Sequence, residues 1–466
     1  MDPYAKVLVG TGKFGEEHPE GHEVRCAMIA GNYDWEDDRK PQIAYEDAVM
    51  YSFHVRGFTK QRYSGVRHKG TFLGITEKAE YFKELGINQI KLMPAYEFTE
   101  MESVKTHARY RKEEELPKRL NYWGYTKAFH FAPKRAYAAT KDPVREFKDM
   151  VKKFHKNGME VYMEFNFTDE VDACMADDCI RYWKESYHID GARVICNDRI
   201  RQVIADDPYL VDIKLFYEYW GNNFRNHNLL EYNEGFENVA RKLLKGDEGQ
   251  LKYFSECFKK NPVHGYTVNF VCDNNGFTLY DLVSYDRKHN EENGENNRDG
   301  KDYNNSWNCG EEGDTKNRKI LVQRLRNRKN AMCFVLLSQG IPMIYAGDEF
   351  GNSQNGNNNA YCQDNETGWL DWSALRKNRK FYNFICTLIN FRRNHKVLHI
   401  EKELVQSDYK YFGLPDISYH GSKAWYPEME HYNRHLGILL CGRYAEENED
   451  IYIGMNLHWE AYIGFA

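Results

Sequence analysis

The chain has 466 residues, of which 41% are hydrophobic and 29% charged, so it carries enough apolar side chain for a large core and falls outside the disordered and low-complexity classes. Its 64 basic and 70 acidic residues leave a net charge of −6, and no Lys/Arg block is interleaved with aromatics, so nucleic acid is not expected as a partner. There is no apolar run of the ~18 residues that a membrane span needs, no leader pattern at MDPYAKVLVG, and no metal-ligand or disulfide spacing among the 11 cysteines. A soluble, cytoplasmic protein with reduced thiols, and with no membrane partner, metal or cofactor, is expected.

From residue 48 onward, short apolar runs alternate with amphipathic segments, the pattern of parallel β/α units. Eight strands are predicted, at 48–55, 89–96, 159–166, 191–197, 213–220, 228–233, 268–273 and 342–348. The helix that feeds the third strand illustrates the reasoning. Asp142 can cap it, Pro143 suits its first turn, Val144, Phe147, Met150, Val151 and Phe154 share one face, and Gly158 stops it. The stretch 287–315 is rich in Asn, Gly and Glu and lacks periodicity, so it reads as a long loop after the seventh strand. A last helix is predicted at 379–395, followed by short alternating runs such as HLGILLCG and DIYIGMN. The fold class is α/β: a (β/α)₈ TIM barrel followed by a small C-terminal β-sandwich-like domain. The division is an N-terminal connector at 1–45, the barrel at 46–396 and a short β domain at 397–466.

The segment VLLSQGIPMIYAGDEFGNSQNGNNNAYCQDNETGWLDWS (335–373) resembles the stretch around the eighth strand of isoamylases and bacterial glycogen debranching enzymes, a branch of the α-amylase superfamily. FVCDNNGFTLYDLVSYDRKHNEENGENNRDG, LNYWGYTKAFHFAP, VRGFT and GLPDISYHGSKAW add to the resemblance, and DPYAKVLVG is similar to the family's connector into the barrel. What it implies is α-glucan chemistry by two carboxylates set roughly 5–5.5 Å apart, one attacking the anomeric carbon and one protonating the leaving oxygen. The family adds a third, stabilising carboxylate.

Matched to the family's motifs, most of that set is replaced. The fourth-strand Gly-x-Arg-x-Asp reads Gly191, Ala192, Arg193, Val194, Ile195, which puts isoleucine at the nucleophile position. On the fifth strand the general-acid position keeps its carboxylate, Glu218. The seventh-strand His-Asp pair reads Asn274, Asn275, so the stabiliser position is an amide. The third-strand Asp-x-x-x-Asn-His is matched to Tyr162, Asn166 and Phe167, which places Tyr162 and Phe167 beside the reacting sugar.

Asn121, Trp123 and Tyr125 in the NYWGY loop match a substrate-facing segment, with a loop anchored by its own aromatics weighed evenly against that role. For Glu218, a structural or sugar-binding role is weighed above acid catalysis, and Arg193 is expected as its ion-pair partner. Asn274 and Asn275 keep hydrogen-bonding capacity for sugar hydroxyls. No neighbouring carboxylate replaces the nucleophile by simple geometry: Asp273 lies two residues deeper than Asn275, and Glu164 points into the barrel. The expectation is a pseudoenzyme of α-glucan metabolism that binds glycogen or starch oligosaccharides or partners an active debranching enzyme. The alternative is an active α-1,6-glucosidase with a substitute carboxylate.

Overall fold

A computed structural model describes residues 2–16, 23–28, 31–103, 118–221, 228–261 and 265–458. Its centre is a closed parallel barrel of eight strands: β1 (Met50–Phe53), β2 (Gln89–Leu92), β3 (Glu160–Asn166), β4 (Gly191–Ile195), β5 (Lys214–Tyr217), β6 (Leu229–Tyr232), β7 (Gly265–Asn269) and β8 (Ile341–Tyr345). Each strand pairs with the next in sequence, and β8 closes on β1 with Met343 opposite Met50. The seventh strand lies three residues earlier than the predicted 268–273, because its ladder with β6 runs from Gly265 opposite Leu229 to Val268 opposite Tyr232. Phe270, Val271 and Cys272 stay buried beyond that ladder, so the apolar pattern outlasts the backbone pairing.

The barrel interior is filled by side chains, as the fold requires. Met50, Tyr162, Phe216, Leu230, Tyr232, Val268, Phe270 and Met343 belong to this inner cluster. Tyr162 stacks on Phe216 at 5.2 Å between ring centroids. Its ring also lies against Gly191, where an added Cβ would stand 1.8 Å from it, so only glycine fits there.

The helix α1 (Pro143–Lys156) forms as its sequence dictates. The Asp142 side chain accepts the Arg145 N–H at 2.9 Å, an N-cap worth about 1 kcal/mol. Val144, Phe147, Met150, Val151 and Phe154 are buried, and Gly158 takes a φ of 71° just past the end. Further along, α2 (Leu251–Lys259), α3 (Arg318–Leu337) and α4 (Arg379–Asn394) pack on the outer face. Arg392 of α4 is buried and donates to the carbonyls of Leu336, Ser338 and Gly340 at 3.0, 2.7 and 2.6 Å. One guanidinium thus satisfies carbonyls left open where α3 ends.

After α4 comes a three-stranded antiparallel sheet, β9 (Ile417–His420), β10 (His435–Leu440) and β11 (Ile451–Asn456), with β10 in the middle. The Tyr419 hydroxyl ties it to α2 by donating to the Ser255 carbonyl at 2.7 Å. All 11 cysteines are free thiols. Among the described residues no helix is long and apolar enough to cross a membrane.

Candidate active site

The barrel mouth opens into a cleft of about 440 Å³ at the C-terminal ends of the strands. Three connections shape its walls. The loop after β2 projects as two small hairpins, Tyr96–Phe98 with Ala128–Pro133 and Met101–Ser103 with Lys118–Leu120, and carries Asn121, Trp123 and Tyr125. The predicted long loop at 287–315 is irregular apart from a short turn at Glu291–Asn293, and amides hold it to the loop after β8. Asn290 donates to Asn358 at 2.8 Å, Asn357 to Asn293 at 2.9 Å and Asn358 to Asn304 at 2.9 Å. Arg119 then joins all three connections, bonding Glu295 at 2.6 Å and the Tyr361 hydroxyl at 2.8 Å.

Of the residues expected at the site, Asn121, Trp123, Tyr125, Asn166, Arg193, Ile195, Glu218, Asn274 and Asn275 line the cleft. Tyr162 and Phe167 do not. Tyr162 sits two residues below the mouth, on the barrel floor, with its hydroxyl bonded to Glu160. Phe167 is buried behind the mouth against Phe165 and His130, at 5.7 and 4.9 Å. The carboxylate that the third strand brings to the mouth is Glu164, which shares Tyr162's face but lies one side-chain layer nearer the opening. Asp273, Glu234, Asn359 and Tyr361 complete the lining. Glu234, Asn359 and Tyr361 carry no signal in the sequence, since they come from the start of a helix and from the loop after β8, which the 287–315 loop holds in place.

Glu164 is fully buried and held by two cations and one hydroxyl donor. Lys91 Nζ lies 2.7 Å away, Arg193 Nη1 3.5 Å away, and the Tyr125 hydroxyl donates to Oε1 at 2.6 Å. Burial alone would raise this carboxyl's pKa, but Lys91 and Arg193 outweigh it and hold it at about 2. Arg193 therefore does not pair with Glu218 as expected. On the ladder between β3 and β4 it stands directly opposite Glu164, whereas Glu218 follows the end of β5, two residues beyond the Phe216 that pairs with Arg193. The guanidinium also lies over the Tyr232 ring at 3.7 Å.

Asn274 and Asp273 are also engaged at the mouth. Asn274 donates to the Tyr125 hydroxyl at 3.1 Å, extending the chain that ends on Glu164. Asp273 accepts from the Tyr232 hydroxyl at 3.1 Å and from the Asn275 N–H at 2.9 Å, which makes it a turn-former below the mouth. Asn121 turns its loop by accepting the Gly124 N–H at 2.8 Å. Trp123 is only 6% exposed, so it is more wall than open platform. Ile195, half-buried at the end of β4, presents hydrocarbon to the cleft, while Glu218 and Asn275 are exposed at its rim. Asp348, which accepts the Leu279 N–H, and Asp364, which pairs with Arg56, shape loops outside the cleft.

A parallel eight-stranded barrel with its polar residues gathered at the strand C-termini has the architecture of a TIM-barrel protein, whose sites lie on that face. No protein-family model matches the chain. The glycogen operon protein GlgX homolog of Haemophilus influenzae is 32% identical over 473 residues, covering 81% of this chain and 70% of that protein. The chloroplastic isoamylase 1 of Oryza sativa subsp. japonica is 29% identical over 576 residues, covering all of this chain and 68% of that protein. A pullulanase from Paenibacillus barengoltzii, solved in complex with maltohexaose and α-cyclodextrin, shares the fold with a TM-score of 0.69 at 19% identity, covering 98% of this chain and 76% of that one. The chain belongs to the isoamylase and GlgX branch of the α-amylase superfamily, the debranching glycoside hydrolases. It spans 62 to 70% of the length of the curated relatives it matches.

Proposed function

We propose that the protein is a catalytically silent or severely impaired debranching-type homologue that binds α-glucan in the barrel mouth, in the cytoplasm, alone or as the non-catalytic partner of an active debranching enzyme. Residues 46–396 would form the glucan-binding barrel and 397–466 its β domain. The observation that carries this reading is Ile195: the side chain at the end of β4 that faces the cleft is a hydrocarbon with nothing to offer an anomeric carbon. Loss of a covalent nucleophile removes several orders of magnitude of rate. The neighbouring carboxylates do not compensate, since Glu164 is locked by two cations and Asp273 by two donors. Glucan binding is supported by the cleft's amides and tyrosines, which suit sugar hydroxyls and ring faces, and by the maltohexaose named with the related pullulanase.

The rival, an active α-1,6-glucosidase with a substitute carboxylate, draws on Glu218 and Glu234, both exposed in the cleft. Reducing-end release from pullulan, amylopectin and glycogen separates the two readings, together with retardation on glycogen-containing gels. No release, with retardation weakened by Asn275→Ala, is the expected result. Turnover at ordinary enzyme rates that Glu218→Gln abolishes would establish the rival. A protein that neither cleaves nor is retarded would be a scaffold without glycan affinity.

A further inference from the structure

A second cavity lies apart from the barrel mouth. It is a pocket of about 740 Å³ walled by the N-terminal segment 7–16 on one side and by the start of the first β/α connection and residues 135–143 on the other. Five cations line it, Lys13, Arg56, Lys60, Arg135 and Lys141, against a single acid, Glu16. In a chain of net charge −6 that is a strong local segregation of positive charge.

The nearby carboxylates are already engaged. Glu16 pairs with Lys13 at 3.6 Å, and Asp364 takes Arg56 at 2.8 Å. Glu97 is bound by Lys134 at 2.6 Å. Glu146 accepts the N–H groups of Leu73, Ala139 and Thr140. Among the described residues, Lys60, Arg135 and Lys141 therefore have no carboxylate partner, and the only bond of the Arg135 guanidinium is a long one, 3.4 Å, to the Ala138 carbonyl. Burial lowers the pKa of the half-buried Lys60, and the like charges of Arg56 and Lys69 lower it further against the opposing pull of Asp364. On the opposite wall, Gly10 and Gly12 take positive φ angles of 86° and 39°.

We propose that this cavity binds a small phosphate monoester, with the phosphate held by Lys60, Arg135 and Lys141 and its attached group lying against Val7, Val9 and Pro143. A dianionic phosphate ester with its acceptor oxygens matches three cations on one wall that have no carboxylate partner among the described residues. The volume sits within the range of small-molecule sites and far exceeds a bare phosphate ion, so the anion comes attached to something of hexose size. The inference is independent of the glucan-binding reading, because none of these residues lines the barrel mouth.

The test is calorimetric titration of the full chain at low ionic strength with glucose 6-phosphate, a 6-phosphorylated maltooligosaccharide, inorganic phosphate and glucose. Saturable binding of the esters is expected, with inorganic phosphate a weak competitor, glucose silent and added salt weakening the complex. The tighter of the two esters identifies the source, a free sugar phosphate or a phosphate carried on a glucan. Lys60→Gln and Arg135→Gln should each weaken binding about tenfold, the loss of one charge-assisted bond. The exposed Lys141→Gln should do the same without risk to folding, and Asn275→Ala in the barrel mouth should have no effect. Absence of saturable heat with either ester at millimolar concentration, affinity unchanged in all three cation variants, or glucose binding as tightly as its phosphate would each overturn the proposal.

Discussion

Glu164 separates the two functional readings most cleanly, since it is either a structural anion or a concealed catalytic carboxylate. Glu164→Gln keeps the shape and leaves Lys91 and Arg193 buried without their nearest counter-charge. Breaking a buried pair in this way costs about 3–5 kcal/mol. The lower end applies if Lys91 sheds its proton, which burial already favours; Arg193 cannot do so. With an unfolding entropy of about 2.1 cal/mol/K per residue, the 466-residue chain loses roughly 1 kcal/mol per degree at its midpoint, so the melting temperature should fall by about 3–5 °C.

Acid pH supplies an internal check on that figure. The folded-state pKa of about 2 lies below the ordinary value of 4.5, so Glu164 stabilises the fold above pH 4.5 and loses that contribution as pH falls towards 2. The shift corresponds to about 3 kcal/mol, in line with the mutational figure. Scanning calorimetry from pH 7 down to pH 3.5 should therefore show wild type and Glu164→Gln converging, and Lys91→Met added to Glu164→Gln should recover part of the loss. A variant that melts within a degree of wild type at pH 7 would refute the buried-pair argument. One that folds normally but loses a measurable glucanase activity would make Glu164 catalytic.

Three further outcomes follow from the geometry. Arg392→Ala strands three carbonyls at the end of α3 and should cost about 3 kcal/mol or more, read as a lower urea midpoint with an unchanged slope. Glu349, buried with Oε1 on the Tyr51 hydroxyl and Oε2 on the Gly347 N–H, has its carboxyl pushed up to about 7 by burial; its stabilising effect, full below pH 4.5, is lost as pH rises through 7, and Glu349→Gln should flatten the melting-temperature profile between pH 5 and 8. Ile195→Asp with Asn275→Asp should raise reducing-end release from pullulan only slightly, because Glu164, Tyr125 and Asn274 remain locked to one another, whereas adding Tyr162→Asp should destabilise by about 3–5 kcal/mol without further gain, since that residue fills the barrel floor.

What could be read in advance, and what could not, follows from what a strand's periodicity encodes. Alternation tells which face a side chain takes, so eight apolar runs separated by amphipathic helices were enough for the barrel, and Asp142, Pro143 and Gly158 placed both ends of α1. Depth within the barrel is a different quantity. Tyr162 and Glu164 share a face, and only the register with β4, Tyr162 against Gly191 and Glu164 against Arg193, shows that the first is floor and the second is mouth. Motif matching assigned the sugar-facing role to Tyr162 because the spacing to Asn166 suited the family pattern, and a spacing along one strand carries no information about the neighbouring one.

The same limit hid the partner of Arg193. The cation that shares Glu164 with it is Lys91, from β2, where QIKLMPAY reads as an ordinary apolar strand with one lysine in it. In the Arg119, Glu295 and Tyr361 clamp, Arg119 reaches residues 176 and 242 positions away. A chemical inventory of the mouth was therefore within reach of the sequence, and Ile195 stood out because its strand position is set by the adjacent Gly-x-Arg. Which of the surviving carboxylates is free is a matter of closure, since Glu164 is engaged by Lys91 from β2 and Arg193 from β4, whereas Glu218 and Glu234 stay exposed in the cleft.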